Sequence, residues 1–288
     1  MNKISKLTEL ALFLSLFFSS CSSLTLAADP IPVKNEYKDI GYFSFLQGEY
    51  TLALGARGFL EPVFVGAKKN QPAFLPIISF NKKGTVDTFS SPHDSFNAAI
   101  VETLFFRAGP VLGFQLARNQ RDDKALSGLN KVGVALEPGF FAEIFPAEYT
   151  RLRAEFRQGV TGHFGQILDF SADTYAHFLD KWLVAVGPRL SLTSSRALKP
   201  YFDINPTQSF KSGLPIYTSK SGLRSVGFGS VMKYTWTSKL ETELFGEYER
   251  LIGSTAKSSL VSIRGSKNQF SAGLGVSYKF DFTSPFGK

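Results

Sequence analysis

Few residues in this sequence have the types and the spacing that catalysis or metal binding requires. Among 288 residues there are three histidines, His93, His163 and His177, and one cysteine, Cys21. No Gly-x-Ser-x-Gly nucleophile elbow and no His-Glu-x-x-His zinc motif occurs. A serine–histidine pair assembled by folding stays open as an alternative, without motif support. We therefore expect a non-enzymatic protein with no cofactor and no metal site.

Charged residues are instead arranged in alternation with apolar residues. In residues 240–249, Leu244 and Tyr248 alternate with Glu243 and Glu247. Alternate positions lie on opposite faces of a β-strand. A strand with one apolar face and one charged face is typical of a transmembrane barrel, with lipid outside and a polar lumen inside. A register shifted by one residue would turn the glutamates toward lipid, so the pattern fixes the orientation.

The same alternation predicts a set of charged side chains that face the lumen. Its members are Arg107, Arg151, Arg153, Arg157, Arg189, Glu137, Glu143, Glu155, Asp169, Asp173, Glu241, Glu243, Glu247 and Glu249. One interpretation is a pore that selects small solutes by charge. The other is a structural network that fills and stiffens a narrow barrel. The sequence leaves both interpretations open.

The chain contains about twelve such strands, an even number as in bacterial barrels. They are predicted at 50–58, 73–81, 85–90, 97–102, 106–116, 132–143, 149–158, 168–175, 182–192, 226–236, 240–249 and 269–282. From residue 119 onward the links between strands alternate between long and short. Outer-membrane barrels alternate long extracellular loops with short periplasmic turns. The sequence therefore predicts an all-β, antiparallel transmembrane barrel of the Gram-negative outer-membrane type, spanning residues 49–288.

The first 28 residues have the features of a secretory signal peptide. Lys3 and Lys6 precede a short apolar core, and small residues at 27–28 offer a cleavage site. Residues 29–48 are polar and contain proline, which suggests a periplasmic lead-in. A lipid-acceptor site at Cys21 is an alternative, although Phe18 stands where leucine is usual. No later run is long and apolar enough for a transmembrane helix.

The formal charge is +8, and it falls to +7 when Lys3, Lys6 and Glu9 leave with the signal peptide. An exported basic protein meets lipopolysaccharide phosphates and the cell wall, not nucleic acid. Many of the cations fall in predicted loops: Arg118, Arg121, Lys124, Lys131, Arg196, Lys199, Lys211, Lys220, Arg224, Lys257, Arg264 and Lys267. We expect contacts with outer-membrane lipid and lipopolysaccharide, or else simple solvation of these loops.

Residues 201–280 resemble the MipA/OmpV family of outer-membrane proteins. The matching loop contains Tyr201, Phe202, Asn205, Pro206, Gln208, Ser209, Ser212, Gly213, Leu214, Pro215 and Tyr217. Further matches are the stretches 222–227, 248–253 and 268–280, of which the last includes Gly275, Tyr278 and Phe280. Family members usually end at the terminal aromatic residue, whereas this chain continues to Lys288. Either Phe280 or Phe282 is therefore expected to act as the insertion signal for the barrel-assembly machinery.

This resemblance implies a closed barrel without catalytic residues. It also implies an envelope scaffold that bridges a murein transglycosylase and a penicillin-binding protein. The runner-up is a small-solute channel through the charged lumen, and the third possibility is a soluble periplasmic binding module.

Overall fold

The computed structural model describes residues 48–82, 90–103, 105–179 and 181–283. Nearly all of the regular structure in these residues is β-strand, and the strands form one antiparallel sheet. The strands are β1 (Glu49–Pro62), β2 (Asn70–Lys82), β3 (Phe96–Asn97), β4 (Val101–Glu102), β5 (Phe106–Gln115), β6 (Ala135–Ala147), β7 (Thr150–Gln158), β8 (Gln166–Phe178), β9 (Trp182–Thr193), β10 (Gly222–Thr235), β11 (Leu240–Leu251) and β12 (Asn268–Thr283). The prediction of about twelve antiparallel strands is confirmed.

The sheet curls into a barrel because its last long strand pairs with its first. The ladder of β12 with β1 runs from Thr283 opposite Glu49 to Ala272 opposite Leu60. From β12 the order continues through β11, β10, β9, β8, β7, β6 and β5 to β3, while β2 lies on the other side of β1. Within the described residues, β2 and β3 are the two ends of this order. The barrel is therefore nearly closed.

The orientation of the strands agrees with the alternation in the sequence. Phe228, Leu244 and Val276 are 46%, 48% and 44% exposed, whereas Glu243 and Arg153 are 7% and 5% exposed. Apolar side chains thus cover the outside of the wall, where hydrocarbon lies, and charges fill the inside. A soluble barrel would bury the first set and expose the second, so the transmembrane fold class is confirmed.

The N-terminal part of the wall differs from the prediction. Residues 59–72 were expected to be a loop, but β1 continues to Pro62 and β2 begins at Asn70, since Leu60 and Glu61 still pair with Pro72 and Gln71. The strand predicted at 97–102 is interrupted, and only its two ends form ladders with β5. Several predictions concern residues that the structure does not describe. They are the signal peptide, the lead-in apart from Gly48, the turn at 81–84 apart from Asn81 and Lys82, and the strand at 85–90 apart from Ser90.

Several other strand ends also differ; for example, β10 begins at Gly222 and β6 ends at Ala147, each beyond the predicted bounds of 226 and 143. The ladder of β6 begins at Ala135 because Val132 pairs with Arg118 in a separate bridge. Between the predicted strands 168–175 and 182–192 a turn at 177–180 was expected, but β8 continues to Phe178, since His177 pairs with Leu183. Strand β10 ends at Thr235, one residue before Trp236.

From β5 onward long and short links alternate, which defines two ends of the barrel. Residues 63–69, 116–134, 159–165, 194–221 and 252–267 form the loop end, and the links at 148–149, 179–181 and 236–239 form the turn end. The loops contain helices α1 (Ser195–Phe202), α2 (Pro206–Ser212) and α3 (Gly253–Lys257), a 3-10 turn (Lys124–Leu126) and a π turn (Leu260–Arg264). None of the helices in the described ranges is long and apolar enough to cross a membrane.

Candidate functional site

The charged residues on strands β6, β7 and β8 form one continuous network inside the barrel. At its centre Arg151 is fully buried and donates to Glu143 over 3.1 Å and to Asp173 over 2.7 Å. Arg153 donates to the same Glu143 over 2.7 Å, and its guanidinium lies 4.2 Å from the ring centroid of Phe141. Glu143 also pairs with Arg107 on β5 over 3.4 Å, so it serves three cations, which offsets part of the free-energy cost of burying its charge.

Further ion pairs extend this network around the wall. They are Arg107–Glu102, Arg107–Glu143, Arg153–Glu155, Arg157–Glu137, Arg157–Glu155, Arg157–Asp169 and Arg189–Asp173. All ten charged residues predicted for β5 to β9 therefore lie in one connected set. Glu102 was not in the predicted set, because residues 97–102 show no alternation of apolar and charged residues.

The four glutamates of β11 have separate partners. Glu243 accepts a hydrogen bond of 2.7 Å from Arg57 on β1, across the intervening strand β12. The other pairs are Glu241 with Lys279 and Lys233, Glu247 with His93, and Glu249 with Arg224. Sequence reasoning missed Arg57, although it follows Leu54 and Ala56 in an alternating stretch that would have revealed it.

A small residue on β12 makes the contact between Glu243 and Arg57 possible. A Cβ atom added at Gly275 would come within 2.8 Å of Oε1 of Glu243. Glycine on the luminal face thus lets a long side chain lie flat across the neighbouring strand. The same need for space applies at Gly273, where an added Cβ atom would come within 2.7 Å of the ring of Phe245.

Residues 91–95, called here the inner segment, enter the barrel and contact opposite parts of its wall. Asp94 receives two hydrogen bonds from Arg151, and the imidazole of His93 lies 2.7 Å from Glu247. The carbonyl of Pro92 accepts a hydrogen bond of 2.8 Å from Arg57. Strands β1 and β7 are six positions apart in a ring of about twelve, so they face each other. The inner segment therefore spans the lumen.

An apolar cluster and a cavity share the interior with the inner segment. Tyr175, Ala185, Val231 and Phe245 are buried together, and the ring of Phe245 packs edge-on against His93 at 5.2 Å between centroids. A cavity of about 1230 Å³ remains, and its lining includes residues of β1, β2, β5, β11 and the inner segment. The lumen is thus partly filled and still holds space with charged walls.

The long loops form a folded structure at the loop end, called here the loop cap. Its apolar core takes residues from four different loops: Phe64, Ala67, Leu126, Leu129, Ile204, Leu214 and Leu260. Arg264 ties three of them together by donating to the carbonyls of Ala125, Ser127 and Ser212. The loops were interpreted as polar and basic segments, but their scattered apolar residues pack against each other.

The loop that matches the family contains a short, well-capped helix. Asn205 accepts from the amide of Gln208 over 2.8 Å, and the side chain of Gln208 accepts from the amide of Asn205 over 3.0 Å, which is a capping box. Pro206 occupies the first turn of α2, and Gly213 ends the helix with a φ of 74°. The other matching residues also have structural contacts here.

Those contacts attach the loop to its neighbours. Phe202 and Leu214 are buried in the cap, and Ser209 and Ser212 accept backbone hydrogen bonds at the helix end. The carbonyl of Pro215 accepts from Ser259, and the hydroxyl of Tyr217 donates to the carbonyl of Ser254 over 2.6 Å. The family signature therefore specifies how this loop folds.

One arginine of the loop cap is internal. Arg118 is buried, and it donates to the carbonyl of Tyr201 over 2.6 Å and to that of Pro200 over 3.3 Å. Burial lowers the pKa of Arg118 to about 10, so the guanidinium stays charged at neutral pH. Burial, with a smaller contribution from Glu137, raises the pKa of Tyr201 to about 12.

The residues predicted as the insertion signal lie at the end of β12. Tyr278, Phe280 and Phe282 are exposed on the lipid face, while Gly275 lies on the luminal face beside Glu243. The strand continues through Thr283. Across the parts of the chain that the structure describes, no group of three or more His, Cys, Asp or Glu side chains is placed to hold a metal ion.

The architecture defines the class of protein: a transmembrane, antiparallel β-barrel of the outer-membrane type, with a charged and partly filled lumen. The chain belongs to the MipA family, because the family model for MltA-interacting protein MipA matches residues 54–280. Comparison with curated proteins finds no match. The fold and the family together indicate the outer membrane as its location.

Several solved structures are similar to this chain. The NanC porin has 12% identity and a TM-score of 0.38, covering 80% of this chain and 100% of its own. The KdgM porin has 9% identity and a TM-score of 0.36, with 81% and 98% covered. An outer membrane channel from Pseudomonas putida F1 has 11% identity and a TM-score of 0.34, with 88% and 100% covered.

Proposed function

We propose that this barrel is a non-enzymatic envelope scaffold whose lumen is held closed and whose function lies in its surfaces. The observation that carries the proposal is the inner segment, which is tied to opposite walls through Arg151, Arg57 and Glu247. These contacts hold the inner segment across the lumen, in the path that a solute would take. The loop cap adds a second obstruction at the loop end.

The partner follows from the family's description as a protein that interacts with MltA. We take the partner class to be a murein transglycosylase, with a penicillin-binding protein as a further member of the complex. Such enzymes work in the periplasm, where barrels of this type place their short turns. Leu179, in the turn after β8, is 87% exposed and has a φ of 51°, so an apolar side chain projects from a strained backbone position at this end.

Site-specific crosslinking in intact envelopes tests the scaffold. A photoreactive residue at position 179 should capture a murein transglycosylase, whereas the same residue at Phe210, which is 92% exposed at the loop end, should not. Equal capture at both positions, or capture at neither while the barrel remains folded, would contradict the proposal.

A small-solute channel is the second candidate, and the cavity of about 1230 Å³ with charged walls favours it. Planar-bilayer recording separates the two functions. The scaffold predicts closed traces for the wild type and for a variant with Glu243→Gln and Glu247→Gln, because Asp94 still binds Arg151 in this variant. Steady wild-type conductance that changes its ion selectivity in this variant would establish the channel and reject a closed lumen.

Contacts with lipopolysaccharide are part of the proposal. Lys124, Lys131, Lys211 and Lys220 are exposed on the loop cap and are available to phosphate groups, whereas Arg118 and Arg264 bind loop carbonyls. Changing the four lysines to glutamine should weaken retention of lipopolysaccharide on the purified barrel. Changing Lys181 and Lys239, which are exposed at the turn end, should leave retention unchanged.

A further inference from the structure

The contact between Asp94 and Arg151 has the geometry of carboxylate recognition. Nη1 of Arg151 donates to Oδ2 of Asp94 over 2.6 Å, and Nη2 donates to Oδ1 over 3.1 Å. The Nε atom of Arg153 lies 3.8 Å from Oδ1. Two parallel hydrogen bonds from one guanidinium form the fork that binds a planar carboxylate. A second guanidinium stands beside it.

The wall holds both guanidiniums in place through groups other than Asp94. Glu143 and Asp173 fix Arg151, while Glu143 and Glu155 fix Arg153. These carboxylates lie on β6, β7 and β8, strands that are paired along most of their length. The fork is therefore preformed by the wall, which lowers the entropic cost of binding a ligand there.

Asp94 reaches this site on a compact turn. The amide of Ser91 donates to Oδ2 of Asp94 over 2.9 Å, and the amide of Asp94 donates to the carbonyl of Ser91 over 3.1 Å. A carboxylate tethered in this way has a high effective concentration at the fork. It occupies the site as a ligand that belongs to the same chain.

We propose that Arg151 and Arg153 form a binding site for a small carboxylate-bearing solute, and that Asp94 is the tethered occupant of this site. The site binds a monoanion because Glu143, Glu155 and Asp173 surround the fork and repel a second negative charge. The planar fork also fits a carboxylate. This inference goes beyond the scaffold proposal, and it stands whether or not the barrel conducts.

Chemical rescue of an Asp94→Ala variant tests the site. The full chain, folded in detergent, is heated and its midpoint of unfolding is read from the mobility shift between the folded and unfolded barrel on gels. Sodium acetate at about ten times its dissociation constant should raise the midpoint of this variant by about 3 °C relative to sodium chloride at equal ionic strength. Phosphate at mildly alkaline pH, where it is mostly a dianion, should act like chloride. The wild type should not respond, since Asp94 fills the fork.

Two control variants define the result. Asp122→Ala removes an exposed carboxylate of the loop cap and should show no response to acetate. Adding Arg151→Lys to Asp94→Ala should abolish the response, because an ammonium group lacks the fork. An equal acetate effect in Asp122→Ala or in the wild type, or no acetate effect in folded Asp94→Ala, would overturn the proposal.

Asp94→Ser serves if the alanine variant does not fold. The serine side chain is one carbon and one oxygen shorter than aspartate and carries no charge, so it leaves the fork open and acetate should still bind there. Saturation-transfer NMR with acetate as the probe measures the binding of acetate to this variant directly. A signal that is lost on adding Arg151→Lys supports the site, and a signal that persists or never appears rejects it.

Discussion

His163 and Glu137 form a buried hydrogen bond, with 2.9 Å between Nε2 of the imidazole and Oε1 of the carboxylate. The amide of Gly165 donates to Nδ1, so the hydrogen of the ring lies on Nε2. The ring also packs against Tyr201 of the loop cap, with 6.1 Å between centroids. Since Glu137 also accepts from Arg157, this contact joins the luminal network to the cap.

Replacing Glu137 by alanine should therefore destabilise the barrel strongly. The change leaves His163 without its buried partner and removes one of the carboxylates around Arg157, for which we expect a cost of about 3–5 kcal/mol. The midpoint of heat unfolding in detergent measures the effect. Glu148→Ala, an exposed glutamate between β6 and β7, is the matched control and should shift the midpoint little. Equal shifts in both variants would show that the buried contact contributes nothing.

Tyr201 should make the loop cap sensitive to alkaline pH. Its pKa in the folded protein is raised to about 12, mainly by burial, whereas an unfolded tyrosine titrates near about 10. Because the folded state holds the proton more tightly, this stabilisation is complete below pH of about 10 and is lost as the pH rises through about 12. Ultraviolet titration of tyrosinate should show a late-titrating group that is missing in Tyr201→Phe. A Tyr201→Phe variant with the wild-type titration curve would refute the assignment.

Gly128 should not tolerate a side chain. Its φ is +82°, and a Cβ atom would lie 2.6 Å from the backbone nitrogen of Ser212 and 2.7 Å from the carbonyl carbon of Lys211. Gly128→Ala should therefore destabilise the cap by at least about 1–2 kcal/mol. Gly133→Ala is the control, since nothing lies within 4 Å of the corresponding position. Limited proteolysis of the folded barrel should cleave the cap faster only in the first variant.

A charge on the lipid face should cost more at the middle of β11 than at its end. Leu244 is exposed on the outer face opposite Leu274, and Leu240 is the first residue of the same strand. We expect Leu244→Lys to cost about 2–4 kcal/mol and Leu240→Lys about 0–1 kcal/mol. Refolding into lipid vesicles, followed by denaturant titration, measures both values. A larger loss of folding free energy for Leu240→Lys than for Leu244→Lys would contradict the assignment of Leu244 to the middle of the membrane.

The wall was predictable from the sequence because its two faces meet different solvents. From Phe106 onward, apolar residues alternate with charged or small residues in each strand. This alternation is visible within the sequence of a single strand, without knowledge of its neighbours. The prediction was poorest between residues 59 and 102. There β1 and β2 carry charges only at a few positions, and β3 and β4 are too short to show a period.

The inner segment and the cap core could not be predicted in this way. His93 and Asp94 look like ordinary loop residues until the fold brings Glu247 and Arg151 to them from positions far away in the chain. Leu126 and Leu260 likewise stand among polar neighbours, and only the packed loops show that both are buried. Contacts between distant segments depend on the whole topology, which a local pattern does not contain.

The shared core of the loop cap determines the surface that the loop end presents to external binding partners. Residues that a bacteriophage or an immunoglobulin would touch belong to loops far apart in the chain, and packing of Phe64, Leu129 and Ile204 sets their relative positions. An antiserum against a synthetic peptide from any one loop should therefore bind the denatured polypeptide and fail on whole bacteria. Serum raised against the intact barrel should show the opposite preference.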